Sequence, residues 1–166
     1  AALYADLEIL PKRKGPTVLT SHLGEMSRIS STPSKEIDEH KVDVLQETAE
    51  ILNTILVLKG ARTLIGLPDR RVFINTSGNS GTTTAGSDDI LPGVIAAMYC
   101  LGLSLEEAVR QGVFIHGFAR DLTVQMKGED GMTAQNILDH LPLAVEACRD
   151  GLSMEYVEQY AGAQRI

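Results

Sequence analysis

The run Ile55-Leu56-Val57-Leu58 most narrows what this chain can become. It is too short and too apolar for a surface helix and shows no polar alternation, so it reads as an interior strand that ends at Lys59-Gly60. Thr17 to Ser21, a β-branched run after Gly15-Pro16, predicts a second buried strand that empties into a loop made of His22, Leu23, Gly24 and Glu25. Thr63 to Ile65 and Val72 to Asn75 flank Leu67-Pro68-Asp69-Arg70 and predict a hairpin with a Pro-Asp turn. Helices fill the rest. Ile37 to Leu52 repeats apolar residues at a spacing of roughly 3.6 and predicts one amphipathic helix. Ile90 to Leu101 predicts a buried helix with Gly102 at its C-terminal end. Ser104 and Glu107 form a capping box, which starts a helix at Leu105 that runs to about Ala119. Thr133 can cap a helix to His140, and Pro142 can open another. This order predicts one α/β domain over residues 1–166, three-layered, with only about four strands for its many helices.

Composition sets the partners that chemistry must explain. A length of 166 residues, 43% apolar and 22% charged, fits one folded domain with a core. A net charge of −7 disfavours nucleic acid and an anionic membrane surface as partners, and no stretch reaches the ~18 uncharged apolar residues of a membrane span. Cys100 and Cys148 lie far apart without metal-ligand spacing, so both predict buried or half-buried free thiols, and no metal ligand is assigned to a side chain. The first residues lack the order of a signal peptide, which points to a cytoplasmic protein.

Asn75 to Gly93, NTSGNSGTTTAGSDDILPG, is where function concentrates. Glycines there let backbone amides approach a ligand, and the helix that follows adds the partial positive charge of its N-terminus, so the segment suits phosphate. A turn of small residues that only caps the helix fits the same pattern. Neither the P-loop nor the dinucleotide spacing is met, because no Gly-Lys-Ser/Thr follows and Gly78, Gly81 and Gly86 are not GxGxxG. Taken singly, Lys59 is a strand-end charge, His22 a loop histidine, Glu25 a helix cap and His116 a hydrogen-bonded structural histidine on an apolar face.

Three segments in order change that balance. VLTSHLGE, ILVLKGARTLI and VFINTSGNSGTTTAGSDDILPGVIAAM, followed by Val113-Phe114-Ile115-His116-Gly117, resemble the ADP- or ATP-dependent NAD(P)H-hydrate dehydratase family of the ribokinase-like superfamily. The family patterns are approximately TPHPGE, VLKGxxT and NxxGNxGMATGGSGDxLTG, and the likeness runs from residue 3 to about residue 142. The resemblance implies a three-layer ribokinase-like α/β fold and the dehydration of hydrated NAD(P)H. It implies that His22, Gly24, Glu25 and Arg28 line the hydrated nicotinamide nucleotide, and that Lys59, Gly60 and Thr63 approach ADP or ATP. It further implies that Asn79, Gly81, Thr84, Gly86 and Ser87 cradle phosphate, that Asp89 is the catalytic acid-base and substrate-contacting residue, and that Mg2+ offsets the phosphate charge.

The departures from the family pattern also carry expectations. Asp88 stands where GSGD has a glycine, and a carboxylate beside the transferring phosphate repels it by about 1 to 4 kcal/mol at ~4 Å, so weakened turnover is expected. A left-handed backbone at that position is one an aspartate can adopt at some cost. Ser21 and Leu23 replace prolines, Thr82 and Thr83 replace Met-Ala, Ala85 replaces a glycine, and Pro92 replaces a hydroxyl residue. Proline near a helix start predicts that the helix begins at Asp88 or Asp89. The chain opens where the family's sheet is already advanced, which predicts a C-terminal part that lacks the N-terminal half of the domain, with a homo-oligomer or another chain completing it. Two other readings stay open: a ribokinase-like kinase for a small sugar or vitamin, and a degenerate nucleotide-binding or assembly module.

Overall fold

The computed structural model of the chain describes residues 7–78 and 86–162, the side chain of Asp88 excepted. It forms two compact units, Ala1–Ile74 and Asn75–Ile166.

The first unit is built on a mixed four-stranded sheet of order β1-β2-β3-β4, with β1 Val18–Ser21, β2 Ile55–Leu58, β3 Leu64–Gly66 and β4 Val72–Ile74. β1 and β2 are parallel, in the register Val18↔Ile55 to Ser21↔Leu58, whereas β2–β3 and β3–β4 are antiparallel. All four residues of β2 are buried, as their unbroken apolar run predicts. The expected hairpin is present. Arg70 N–H donates to the Leu67 carbonyl at 3.0 Å, and Arg70 takes a positive φ of 69° to close the turn.

Three helices belong to this unit: α1 Leu23–Ser30, α2 Ser34–Glu39 and α3 Lys41–Leu52. They build a core in which Met26, Ile37 and Leu45 pack with Leu56, Leu58 and Leu64 of the sheet. Two sequence expectations are corrected here. The segment after β1 is not a loop but the first turn of α1. Ile37 to Leu52 is not one helix, because His40 leaves helical geometry at φ −131° and ψ 41° and its N–H is shared between the Glu36 and Ile37 carbonyls. The hydrophobic period crosses that break without changing phase enough to announce it.

The second unit is helical: α4 Ser87–Cys100, α5 Leu105–Lys127, α6 Ala134–Asp150 and α7 Met154–Gly162. Its core gathers Ile90, Val94 and Met98 of α4, Ile115 and Phe118 of α5, Ile137 and Ala144 of α6 and Tyr160 of α7. The Ser104–Glu107 capping box forms as expected, but α5 runs to Lys127, since no residue between Ala119 and Gly128 breaks it. The two short helices expected around Pro142 are one. Pro142 lies inside α6, and the carbonyl it deprives of a donor belongs to Leu138, a partly exposed residue.

α4 is only half the buried helix expected. Ile90, Leu91, Val94, Ile95 and Met98 are buried, while Pro92, Gly93, Ala96, Ala97 and Tyr99 face outward. Cys100, in its last turn, is exposed rather than buried, whereas Cys148 is half-buried, and that burial pushes its thiol up from the ordinary range.

Candidate functional site

In the first unit the expected ligand residues other than Arg28 collect at one end of the sheet. Ser21 pairs with Leu58 at the carboxyl end of the parallel strands, and Lys59 N–H donates to the Ser21 carbonyl at 2.7 Å, so His22 and Lys59 leave the sheet side by side. Thr63 precedes Leu64, which pairs with Leu58, and therefore sits at the same end with Gly60 between them in sequence. The crevice outside the carboxyl ends of parallel strands is where open α/β sheets bind ligands. A groove of about 510 Å3 opens there, lined by Leu58, Lys59, Gly60 and Arg62 together with Asp38 and Lys41, which pair at 2.7 Å.

His22 has a task that its identity did not suggest. It is the N-cap of α1, and its Nδ1 accepts from Gly24 N–H at 3.1 Å and Glu25 N–H at 3.3 Å. Glu25 returns the contact by accepting His22 N–H at 2.9 Å, so the cap reading of Glu25 holds. An accepting Nδ1 leaves the ring proton on Nε2, which lies 3.6 Å from Glu25 Oε2. Gly24 lies close beside this ring, and a Cβ there would come within 3.1 Å of His22 Cε1, a tight contact. Arg28 is exposed in the last turn of α1, at the opposite end of the helix from His22.

In the second unit the helix mouth is described from Gly86 onward; Asn79, Gly81 and Thr84 lie outside the described residues. Gly86 is the N-cap of α4 at φ 84° and ψ −9°, a left-handed conformation suited to glycine, and as a glycine it offers the helix no side-chain cap. The helix begins at Ser87, one residue before the earliest expected start, and Asp88 has helical backbone, so the left-handed residue is Gly86 and not Asp88. Asp89 is exposed in the first turn, its N–H donating to the Gly86 carbonyl at 3.2 Å. Pro92 falls in the second turn, on the exposed side. Gly86 and Asp89 line a mostly apolar groove of about 1100 Å3 that continues past Gly93 and Ala97 of α4 and Leu138 of α6 to Arg149.

Helix α5 grips the segment on both flanks of residues 79–85. On the entry side, Ser77 Oγ donates to the Phe114 carbonyl at 2.8 Å, and Gly78 N–H donates to Asp121 Oδ2 at 2.8 Å. On the exit side, His116 Nε2 donates to the Ser87 carbonyl at 3.1 Å. Ser87 itself is buried. His116 is thus the hydrogen-bonded histidine expected, but its partner is the first residue of the helix that carries Asp89. Sequence reasoning missed Asp121, although an acid among Phe118, Ala119, Leu122 and Val124 is a signal in itself.

Among the described residues no three His, Cys, Asp or Glu side chains converge as a metal site would require. Asp89, an exposed carboxylate at the helix mouth, is the kind of single side-chain ligand that magnesium takes beside phosphate oxygens and water.

A mixed sheet with flanking helices makes this an α/β chain, and the solved structures it resembles give the class as ribokinase-like. A ribokinase-like superfamily protein from Enterococcus faecalis superposes with a TM-score of 0.68 at 25% identity, covering 86% of this chain and 50% of that one. The crystal structure of the ADP/ATP-dependent NAD(P)H-hydrate dehydratase from Bacillus subtilis, co-crystallised with ATP/Mg2+, gives a TM-score of 0.78 at 33% identity over 82% of this chain and 49% of that one. The family profile described as NAD(P)H-hydrate dehydratase matches residues 2–143. The bifunctional NAD(P)H-hydrate repair enzyme of Thermofilum pendens is 49% identical over 143 residues, 86% of this chain and 27% of that protein. This chain belongs to the NAD(P)H-hydrate dehydratase family, and it spans between about a quarter and a half of the length of these relatives.

Proposed function

We propose that residues 1–166 form part of one ribokinase-like domain that dehydrates hydrated NAD(P)H at the expense of ADP or ATP. The observation that carries the reading is Asp89, an exposed carboxylate in the first turn of a helix whose N-cap is Gly86, a residue with no side chain to cap it. The partial positive charge at a helix N-terminus favours an anion at that mouth. A carboxylate beside it is positioned to remove a proton from a hydroxyl.

In this mechanism Asp89 takes the proton of the substrate hydroxyl while that oxygen attacks the terminal phosphorus of the nucleotide. The bond from that phosphorus to its bridging oxygen breaks, and the shortened nucleotide leaves. The new phosphate ester then departs as inorganic phosphate with its bonding pair, a proton is lost from the neighbouring ring atom, and the double bond of NAD(P)H is restored. Mg2+, when bound to the phosphates, offsets their charge. Gly86 supports close approach of the phosphate, with Asn79, Gly81, Thr84 and Ser87 assigned to the same cradle. Lys59, Gly60 and Thr63 are assigned to ADP or ATP, and His22, Gly24, Glu25 and Arg28 to the nicotinamide nucleotide, with His22 Nε2–H as the available donor.

The test is recovery of the near-ultraviolet absorbance of NADH from its hydrate by the full-length protein with ADP or ATP and Mg2+. Asp89→Asn is expected to lower kcat by about 10²- to 10⁴-fold with nucleotide affinity kept, and Asp88→Gly to raise kcat. A wild-type protein that binds nucleotide but leaves the hydrate unchanged overturns the reading, and a stable phosphorylated product would make it a kinase instead. A cytoplasmic setting and a homo-oligomeric state belong to the same proposal and are checked by fractionation and sedimentation.

A further inference from the structure

Asp121 is a buried acid, 6% exposed, on the face of α5 that meets the start of the Gly/Ser/Thr-rich segment. One of its oxygens, Oδ2, accepts twice: from Gly78 N–H at 2.8 Å and from the Tyr160 hydroxyl at 2.8 Å. A buried carboxylate is costly unless hydrogen bonds replace its water, so its retention in an apolar helix face needs a reason. Gly78 supplies one. Its φ of 84° turns the chain just after β4, where its amide has left the sheet ladder and must find another acceptor. Glycine is required there for its left-handed φ, and Gly117 of α5 is required opposite it, since a Cβ on Gly117 would fall within 2.8 Å of the Ser77 carbonyl carbon.

Tyr160 fixes the acid in turn. The residue is 7% exposed, and its ring meets Phe114 edge-on at 5.3 Å and 78° and Phe118 at 6.1 Å and 89°. With the ring held, the hydroxyl has one place to point. Burial, reinforced by the Asp121 charge, pushes the hydroxyl above the ordinary phenol range, which favours the protonated form that donates to Asp121. Tyr160 belongs to α7, beyond the residues matched by the family profile, which end at 143.

We propose that Asp121 and Tyr160 are positioning residues: α7 reaches back through them to fix the Gly78 amide at the entrance of the Gly/Ser/Thr-rich segment, and that anchor supports nucleotide binding. The kinetic part of this inference rests on the dehydratase reading; the structural part does not.

The test is Tyr160→Phe in the full-length protein, with Tyr156→Phe as control, because Tyr156 donates instead to Gln125 at 3.2 Å. Tyr160→Phe keeps the ring and removes one hydrogen bond to a charged acceptor. Exchange of the Gly78 amide is expected to quicken roughly tenfold, with the amides of Phe118 and Ala119 unchanged, and the KM for ADP or ATP to rise more than kcat falls. Asp121→Asn, which keeps an oxygen but not the charge, is expected to fall between wild type and Asp121→Ala. Unchanged exchange at Gly78, equal effects of the two tyrosine variants, or acceleration spread evenly over α4 to α7 would overturn the proposal. A wild-type protein without dehydratase activity whose Gly78 amide still responds to Tyr160→Phe would sink the functional reading and leave the anchor standing.

Discussion

Gly117 shows how much of the site is set by what a residue lacks. A side chain there would drive into the backbone of Ser77, within 2.8 Å of its carbonyl carbon and 2.9 Å of its oxygen, and neither is a flexible tip that can swing aside. Gly117→Ala is therefore expected to cost about 1 to 3 kcal/mol in urea unfolding, and to push Ser77 off the Phe114 carbonyl that it now meets at 2.8 Å. An alanine variant as stable as wild type would mean that α5 does not press on the segment. His22 makes the complementary point. Its side chain looks like a free loop group in sequence, yet two backbone amides already occupy its Nδ1, so only the opposite nitrogen remains for a ligand.

At the scale of elements, the capping boxes are the strongest local signals. Glu107 is held below the usual carboxylate range by the Ser104 hydroxyl, then by the Ser104 amide, and a carboxylate whose pKa falls on folding stabilises above its unfolded pKa and loses that contribution as pH drops through the folded one. Ser104→Ala is accordingly expected to lower Tm by roughly 4 °C at neutral pH, and the difference from wild type to shrink as the solution is acidified below the carboxylate range. The same logic explains what could be read in advance. Ser104 with Glu107 and the four apolar residues of β2 announce themselves through local chemistry alone, and both elements start where expected. α1 hid because histidine is not among the usual N-cap residues, although His22 and Glu25 have the spacing of a box. α6 hid because Pro142 reads as a start, yet the helix runs through it. Of the site, the family-like residues were legible as a list, and the partnership of Asp121 with Gly78 was not, since it joins residues far apart in sequence.

For the whole molecule, the core of the second unit depends on its last helix. Leu152, Tyr156 and Tyr160 all pack into the cluster around Phe118, with Tyr156 edge-on to that ring at 4.7 Å. Removing residues 152–166 from the full-length protein is expected to cost about 3 kcal/mol or more, measured by urea unfolding, because the aromatic faces of Phe114 and Phe118 lose their cover. A truncated protein of unchanged stability would show that α7 is an appendage. The same cluster has an optical side. Residues 1–166 contain four tyrosines and no tryptophan, so the emission of this stretch comes from its phenol rings, and a phenol hydrogen-bonded to a carboxylate, as Tyr160 is to Asp121, is a quenched emitter. Any event that parts that pair brightens the tyrosine emission of residues 1–166, which gives this stretch a label-free gauge of how tightly the entrance at Gly78 is held.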